Sequence, residues 1–253
     1  MKTAGWVRAV LATAPWALLL GVAGCGDLRV PDPNVVYIAF GDSATKGPAD
    51  DDYPDLLRAR LGVAANTFAN EGEGGDTIAE GVDRLASLLD SGIYPNAEVL
   101  LLWEGGGDLI DFIGEIDPFL LWSVNDSDYP YQDELDAKLD EIGANLADAI
   151  ARGRAAGLDV YTATYFPILG GFSACPGLPF DFIIPGQAER ANEYLALLNA
   201  EIRRRVSASG ATLVDIGRDA ANLADDRGNY ENCNHLSSDG NARVAELFYD
   251  ALR

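Results

Sequence analysis

"VVYIAFGDSATKG" occupies residues 35–47, and its two halves together decide the fold. The first half, Val35 to Phe40, is an unbroken apolar run rich in β-branched and aromatic side chains. A strand with one wet face alternates polar and apolar residues. An unbroken apolar run marks a strand covered on both faces, as in a parallel sheet. The second half turns small and polar at Gly41, Asp42 and Ser43. A glycine-bearing turn at the carboxyl end of such a strand is where open parallel sheets place their ligand sites.

The same rhythm continues outward along the chain. "YPDLLRARL" reads as a helix, and "NTFAN" (66–70) as a short strand. "DTIAEGVDRLASLLD" (76–90) is helical, with Ile78, Val82, Leu85 and Leu89 on one face. "EVLLLW" (98–103) is a second fully apolar strand. "ELDAKLDEIGANLADAIARGRAAG" is a long amphipathic helix with Leu135, Leu139, Ile142, Leu146 and Ile150 inward. "DVYTATYF" (159–166) reads as a strand, "QAERANEYLALLNAEIRRRV" as a helix, "ATLVDI" (211–216) as a strand and "GNARVAELFYDAL" as the last helix. Strands alternating with helices predict an α/β domain of three layers, a five-stranded parallel sheet with helices on both faces. There is no internal repeat and no second domain. The loops after Phe40, Asn70, Trp103, Phe166 and Ile216 are where a site is expected.

The chain has 253 residues, and the first 24 are read as an export leader. Lys2 and Arg8 precede the apolar run "AVLATAPWALLLGVAG", which Pro15 interrupts and which is too short for a confident membrane span. The run ends in Val22-Ala23-Gly24-Cys25, which resembles the bacterial lipoprotein box, in which the leader is cut before a cysteine that carries lipid. The expected organisation is a leader (1–24), a lipidated tether from Cys25 to residue 34, and one domain (35–253). The expected location is the bacterial cell envelope, with the membrane reached through the lipid. Removing Lys2 and Arg8 takes the formal net charge from −22 to −24, a surface that repels nucleic acid. Two cysteines remain, Cys175 and Cys233. An exported chain permits them to pair, and the bridge would pin the segment that carries His235, the sole histidine.

Three glycine-bearing loops follow three successive strands. "FGDSATKG" (40–47) offers the Ser43 hydroxyl, "NEGEGGDT" (70–77) offers backbone N–H groups that can converge on an anion, and "EGGGDL" (104–109) opens a helix at Asp108. His235 follows the last strand in "NYENCNHLSSDG" (229–240). The absence of a G-x-S-x-G elbow disfavours the α/β-hydrolase fold. No P-loop lysine supports a nucleotide site.

These four segments, in this order, resemble the SGNH (GDSL) hydrolase family. Its pattern is a GDS serine after strand one, an N-x-G-x-x-G-x-T loop, a G-x-N-D loop and a C-terminal D-x-x-H. "FGDS" supplies Ser43, and "NEGEGGDT" matches the second loop through Asn70, Gly72, Gly75 and Thr77. The resemblance implies a flavodoxin-like sheet and metal-free, cofactor-free hydrolysis of esters, thioesters or carbohydrate acyl groups. It implies Ser43 as nucleophile, His235 as general base and the N–H groups of Ser43 and Gly75 as oxyanion donors. The expected partner is a small-molecule, lipid or carbohydrate ester, and the expected state is a monomer.

Two positions depart from the pattern. Gly107 stands where the G-x-N-D asparagine would give a third oxyanion donor, and Asn232 stands where the D-x-x-H aspartate would orient the histidine. Losing one oxyanion donor costs roughly 3 kcal/mol of transition-state stabilisation. Asn232 can orient a ring through its carbonyl oxygen but does not balance an imidazolium charge. Glu231, Asp225, Asp226, Asp239 or a backbone carbonyl are the alternative supports for His235. The departures keep open a second reading, a binding lipoprotein with a silent site. The stretches 112–131 and 166–186 are rich in aromatics, glycine and proline, and either wall a substrate site or cover the core.

Overall fold

The computed structural model describes residues 30–48, 51–172, 175 and 182–253. The leader, the Val22–Cys25 box and most of 173–181 lie outside the described residues. The folded unit runs Pro31–Arg253. It therefore begins before Val35, because the end of the expected tether is docked. Asp32 N–H donates to the Ile93 carbonyl at 2.7 Å, and Asn96 donates to the Pro33 carbonyl at 2.9 Å.

All five expected strands are present and all pair in parallel. They are β1 (Tyr37–Gly41), β2 (Phe68–Gly72), β3 (Val99–Trp103), β4 (Asp159–Ala163) and β5 (Thr212–Val214), in the order β2-β1-β3-β4-β5. The apolar runs lie where double-sided burial puts them. Ile38 and Phe40 of β1, and Leu100 to Trp103 of β3, are buried at the centre. β2 lies at an edge and stays half-buried, which is why its sequence is polar. The 159–166 run pairs only as far as Ala163, because its neighbour β5 is three residues long. Thr164 adds one last bond to the Val214 carbonyl at 3.1 Å, and Tyr165 and Phe166 leave the sheet.

Among and after the strands come α1 (Ser43–Lys46), α2 (Tyr53–Leu61), α3 (Ile78–Ser91), α4 (Gly106–Ile116), α5 (Gln132–Ala155), α6 (Pro185–Ser209), α7 (Ala220–Ala224) and α8 (Ser238–Ala251). Helices α2 and α8 pack together, and α3, α5 and α6 pack in sequence. Tyr53 of α2 stacks on Phe248 of α8, with ring centroids 4.7 Å apart. In α3 the buried residues are Ile78, Val82, Leu85 and Leu88, while Leu89 is only partly covered. In α5 four of the five expected residues are fully buried and Leu139 is partly so. Cys175 and Cys233 are disulfide-bonded, with Cα atoms 5.3 Å apart and a sequence separation of 58. A closed loop of that length is worth about 4 kcal/mol in the chain-entropy account.

Candidate active site

Ser43 stands at the first position of α1, directly after β1. Asp42 caps the helix, its carboxylate accepting the Ala44 N–H at 2.8 Å. The first N–H of a helix has no partner within it, and among the described residues the Ser43 N–H has none elsewhere either. Gly41 is needed because a side chain there would run into the Trp103 carbonyl and the Thr45 hydroxyl.

His235 is delivered from the opposite end of the chain by a tight loop. Tyr230 and Leu236 bridge its base, Glu231 N–H donates to the His235 carbonyl at 3.0 Å, and Ser237 caps α8. Its Nε2 lies 3.1 Å from Ser43 Oγ, and its Nδ1 lies 3.0 Å from Asn232 Oδ1. That oxygen also accepts the backbone N–H groups of Asn234, at 3.2 Å, and His235, at 3.0 Å. Two backbone donors fix which end of the amide faces the ring, since an NH₂ there would meet them head-on. Nδ1 is therefore the protonated nitrogen, and Nε2 offers its lone pair to Ser43. Asn232 holds the ring, and among the described residues none of Glu231, Asp225, Asp226 and Asp239 hydrogen-bonds to it. Burial holds the imidazole below its usual 6.5, with the Glu231 charge pulling the other way.

The glycine loop of residues 72–75 passes beside Ser43. A Cβ built on Gly74 would lie 3.9 Å from that of Ser43. Gly75 follows with φ of 86°, a conformation costly for any other residue, and its N–H has no partner among the described residues. Gly107 lies in the first turn of α4. Its missing side chain is not a vacancy in which an amide would fit. A Cβ there would collide with the Asp76 carbonyl oxygen, and Asp76 C is 3.3 Å away. The Gly107 N–H is turned to Asp42. Gly107 thus brings no side-chain amide to the site, and the N–H groups of Ser43 and Gly75 are the ones left without partners beside it among the described residues.

A family model for GDSL-like lipases and acylhydrolases matches residues 39–243, from within β1 to within α8. The chain belongs to the GDSL-like lipase/acylhydrolase family. Solved structures agree on the fold. The acetyl xylan esterase AlAXEase aligns with a TM-score of 0.57 at 20% identity, over 87% of this chain and 100% of that one. TesA aligns at 0.58 and 16%, over 86% and 98%. The psychrotrophic esterase EstA from Pseudoalteromonas sp. aligns at 0.53 and 15%, over 86% and 96%. None of the curated proteins matches the chain.

This GDSL hydrolase fold carries site residues that the sequence motifs did not announce. Arg84 of α3 joins three strand ends. It donates to the Asp76 carboxylate at 2.7 Å, to the Glu71 carbonyl at 2.5 Å, to the Gly41 carbonyl at 3.1 Å and to Glu104 at 3.2 Å. Its guanidinium lies 4.0 Å from the centre of the Phe40 ring. A planar fork with five donors suits such a junction. Arg84 thereby couples the glycine loop to the strand that presents Ser43. Burial and nearby Asp42 push the Glu104 carboxyl up to about 10 against the pull of Arg84. A sequence sign existed: Gly81, one turn before Arg84, leaves the space that Glu104 fills.

Asp42 makes a second junction. It is buried, and desolvation raises its pKa against opposing hydrogen bonds. Tyr165 donates to it at 2.6 Å and Gly106 N–H at 3.2 Å. Asp108, the aspartate kept from the G-x-N-D motif, accepts the Ile78 N–H at 2.7 Å. It so anchors the start of α3 beneath the glycine loop. Burial raises its pKa to about 6. Asn70 ties β2 to α1, donating to the Thr45 carbonyl at 3.1 Å and accepting from Gly72 N–H at 2.9 Å.

Two cavities open from Ser43. One, of about 480 Å³, also touches His235, Lys46, Glu231 and Asn241. The other, of about 50 Å³, runs past Gly107 among Ile113, Phe166, Ile168 and Leu195. The two aromatic-rich stretches therefore serve both purposes. Phe166 and Ile168 wall the site, while Phe112, Leu120 and Tyr129 fill the core. Tyr129 OH meets Tyr194 OH at 2.9 Å. Among the described residues no group of three His, Cys, Asp or Glu could hold a metal, and none of the described helices is long and apolar enough to cross a membrane.

Proposed function

We propose that this protein is a serine esterase of the bacterial cell envelope, tethered by lipid on Cys25 and cleaving carboxylic esters with Ser43 and His235. The observation that carries this reading is the unbroken line Asn232 Oδ1–His235 Nδ1, His235 Nε2–Ser43 Oγ, at 3.0 and 3.1 Å, opening on a cavity. Ser43 Oγ bonds to the carbonyl carbon while Nε2 takes its proton. The oxyanion forms against the Ser43 and Gly75 N–H groups. The carbon–alkoxide bond then breaks, and Nε2 returns the proton to the departing alcohol. Water repeats the cycle: its oxygen bonds to the acyl carbon, its proton passes through Nε2 to Ser43 Oγ, and the acid leaves. The envelope location is supported by the leader and by the small-residue sequence ending in Cys25.

The test is hydrolysis of a short activated ester by the full-length protein beside Ser43→Ala. Turnover that disappears in the variant supports the esterase. Equal rates in both remove Ser43 from the mechanism. The loss of a donor at Gly107 favours a second reading, a binding protein with a silent site, and absence of serine-dependent turnover is its signature.

A further inference from the structure

We propose that the two cavities beside Ser43 divide the ester between them, the small apolar one taking a short acyl chain and the large one, edged by Lys46 and Glu231, a hydroxyl-bearing alcohol. The inference rests on the esterase reading above and names its substrate class, a short-chain acyl ester of a sugar or similar polyol.

The direction of proton transfer assigns the cavities. Ser43 borders both, but His235 borders only the larger. The proton that Nε2 removes from Ser43 Oγ must reach the oxygen of the departing alcohol. That oxygen therefore faces Nε2, and the alcohol lies in the cavity of about 480 Å³. The oxyanion points to the Ser43 and Gly75 N–H groups. The one remaining substituent of the tetrahedral carbon, the acyl chain, is left with the cavity that runs past Gly107.

Size and chemistry then set the two halves. The acyl cavity measures about 50 Å³. A single water needs about 10–15 Å³ on this scale, so the space suits a chain from acetyl to butyryl. Its walls include Leu109, Ile113, Ile168 and Leu195, all buried, and close-packed walls do not widen without cost. The alcohol cavity presents the charged ends of Lys46 and Glu231 beside the catalytic pair. An alkyl alcohol there would strip water from these groups and give nothing back. A polyol replaces the lost water with its own hydroxyls.

The test measures kcat/KM of the full-length protein on two series. In the first, 4-nitrophenyl acetate, butyrate, octanoate and laurate vary the acyl chain. The proposal expects a fall of at least about tenfold from butyrate to octanoate, within the range that a few misfit methylenes command. Octanoate hydrolysed as fast as butyrate would overturn the acyl assignment and leave the esterase standing. In the second, a peracetylated monosaccharide is set against hexyl acetate, and the sugar ester is expected to be preferred by at least about tenfold. An equal or greater rate on hexyl acetate overturns the alcohol assignment. Leu195→Ala should raise the octanoate-to-butyrate ratio; an unchanged ratio in the folded variant places the acyl chain elsewhere. Serine-dependent turnover of no ester in either series overturns the esterase reading itself.

Discussion

Asn232→Asp puts a carboxylate where the protein holds a neutral amide, and the structure sets the size of the effect. Oδ1 of Asn232 already accepts the ring Nδ1–H and two backbone N–H groups. A carboxylate keeps all three bonds. The loss of about 10⁴ seen when an asparagine replaces a protease triad aspartate arises from the wrong tautomer. Here the tautomer is already right, so the substitution should recover only the charge. A unit charge about 4 Å from the imidazolium is worth about 4 kcal/mol at an effective dielectric of 20, and desolvating the carboxylate takes back part. A net of about 2–3 kcal/mol corresponds to a gain of roughly 30- to 150-fold in kcat. KM should stay put, because the imidazolium exists only beyond the ground state. The acid limb of the pH profile should rise, as a neighbouring negative charge favours the protonated ring. His235 is the only histidine, so its imidazole resonances report pKa and tautomer without assignment. An unchanged kcat with an unmoved His235 titration would refute the assignment of Asn232.

Three further outcomes follow from the same geometry. The wild-type activity should fall on acidification with a midpoint below 6.5, because burial lowers the His235 pKa and only the neutral ring accepts the Ser43 proton; Glu231→Gln, which removes the charge opposing that shift, should move the midpoint lower still in a kcat/KM profile. Gly107→Asn, which would restore the family pattern on paper, should lower activity and thermal stability, since its Cβ meets the Asp76 carbonyl; a rise in kcat would show that the loop yields. Arg84→Met should cut kcat at least roughly tenfold through the displaced glycine loop while changing KM little, the mark of an interaction made mainly in the transition state, with Arg84→Lys recovering only part because a lysine lacks the fork; kinetics of the folded variants, verified by circular dichroism, decide it.

What the sequence made readable tracks what is locally encoded. β1 and β3 stand out because both faces are buried, and an unbroken apolar run says so without reference to any partner. The 159–166 run misled for the converse reason: strand length there is set by the short neighbour β5, not by the run itself. The order of the loops placed Ser43, the glycine loop and His235 at one end of the sheet, and the structure brings Ser43 and His235 within 3.1 Å. Arg84 stayed hidden because its partners are Gly41, Glu71, Asp76 and Glu104, assembled only when three strand ends meet. The orientation of Asn232 was likewise unreadable. It depends on two backbone N–H groups that converge only after the loop between Tyr230 and Leu236 has closed.

In the proposed mechanism Ser43, activated by His235, forms a covalent acyl enzyme. The most direct test is intact-mass and peptide-mapping analysis of the full-length protein after exposure to an alkyl fluorophosphonate. One adduct per chain is expected, mapped to Ser43, absent from Ser43→Ala and strongly slowed in His235→Ala. No adduct, or one on another residue that survives Ser43→Ala, would contradict it.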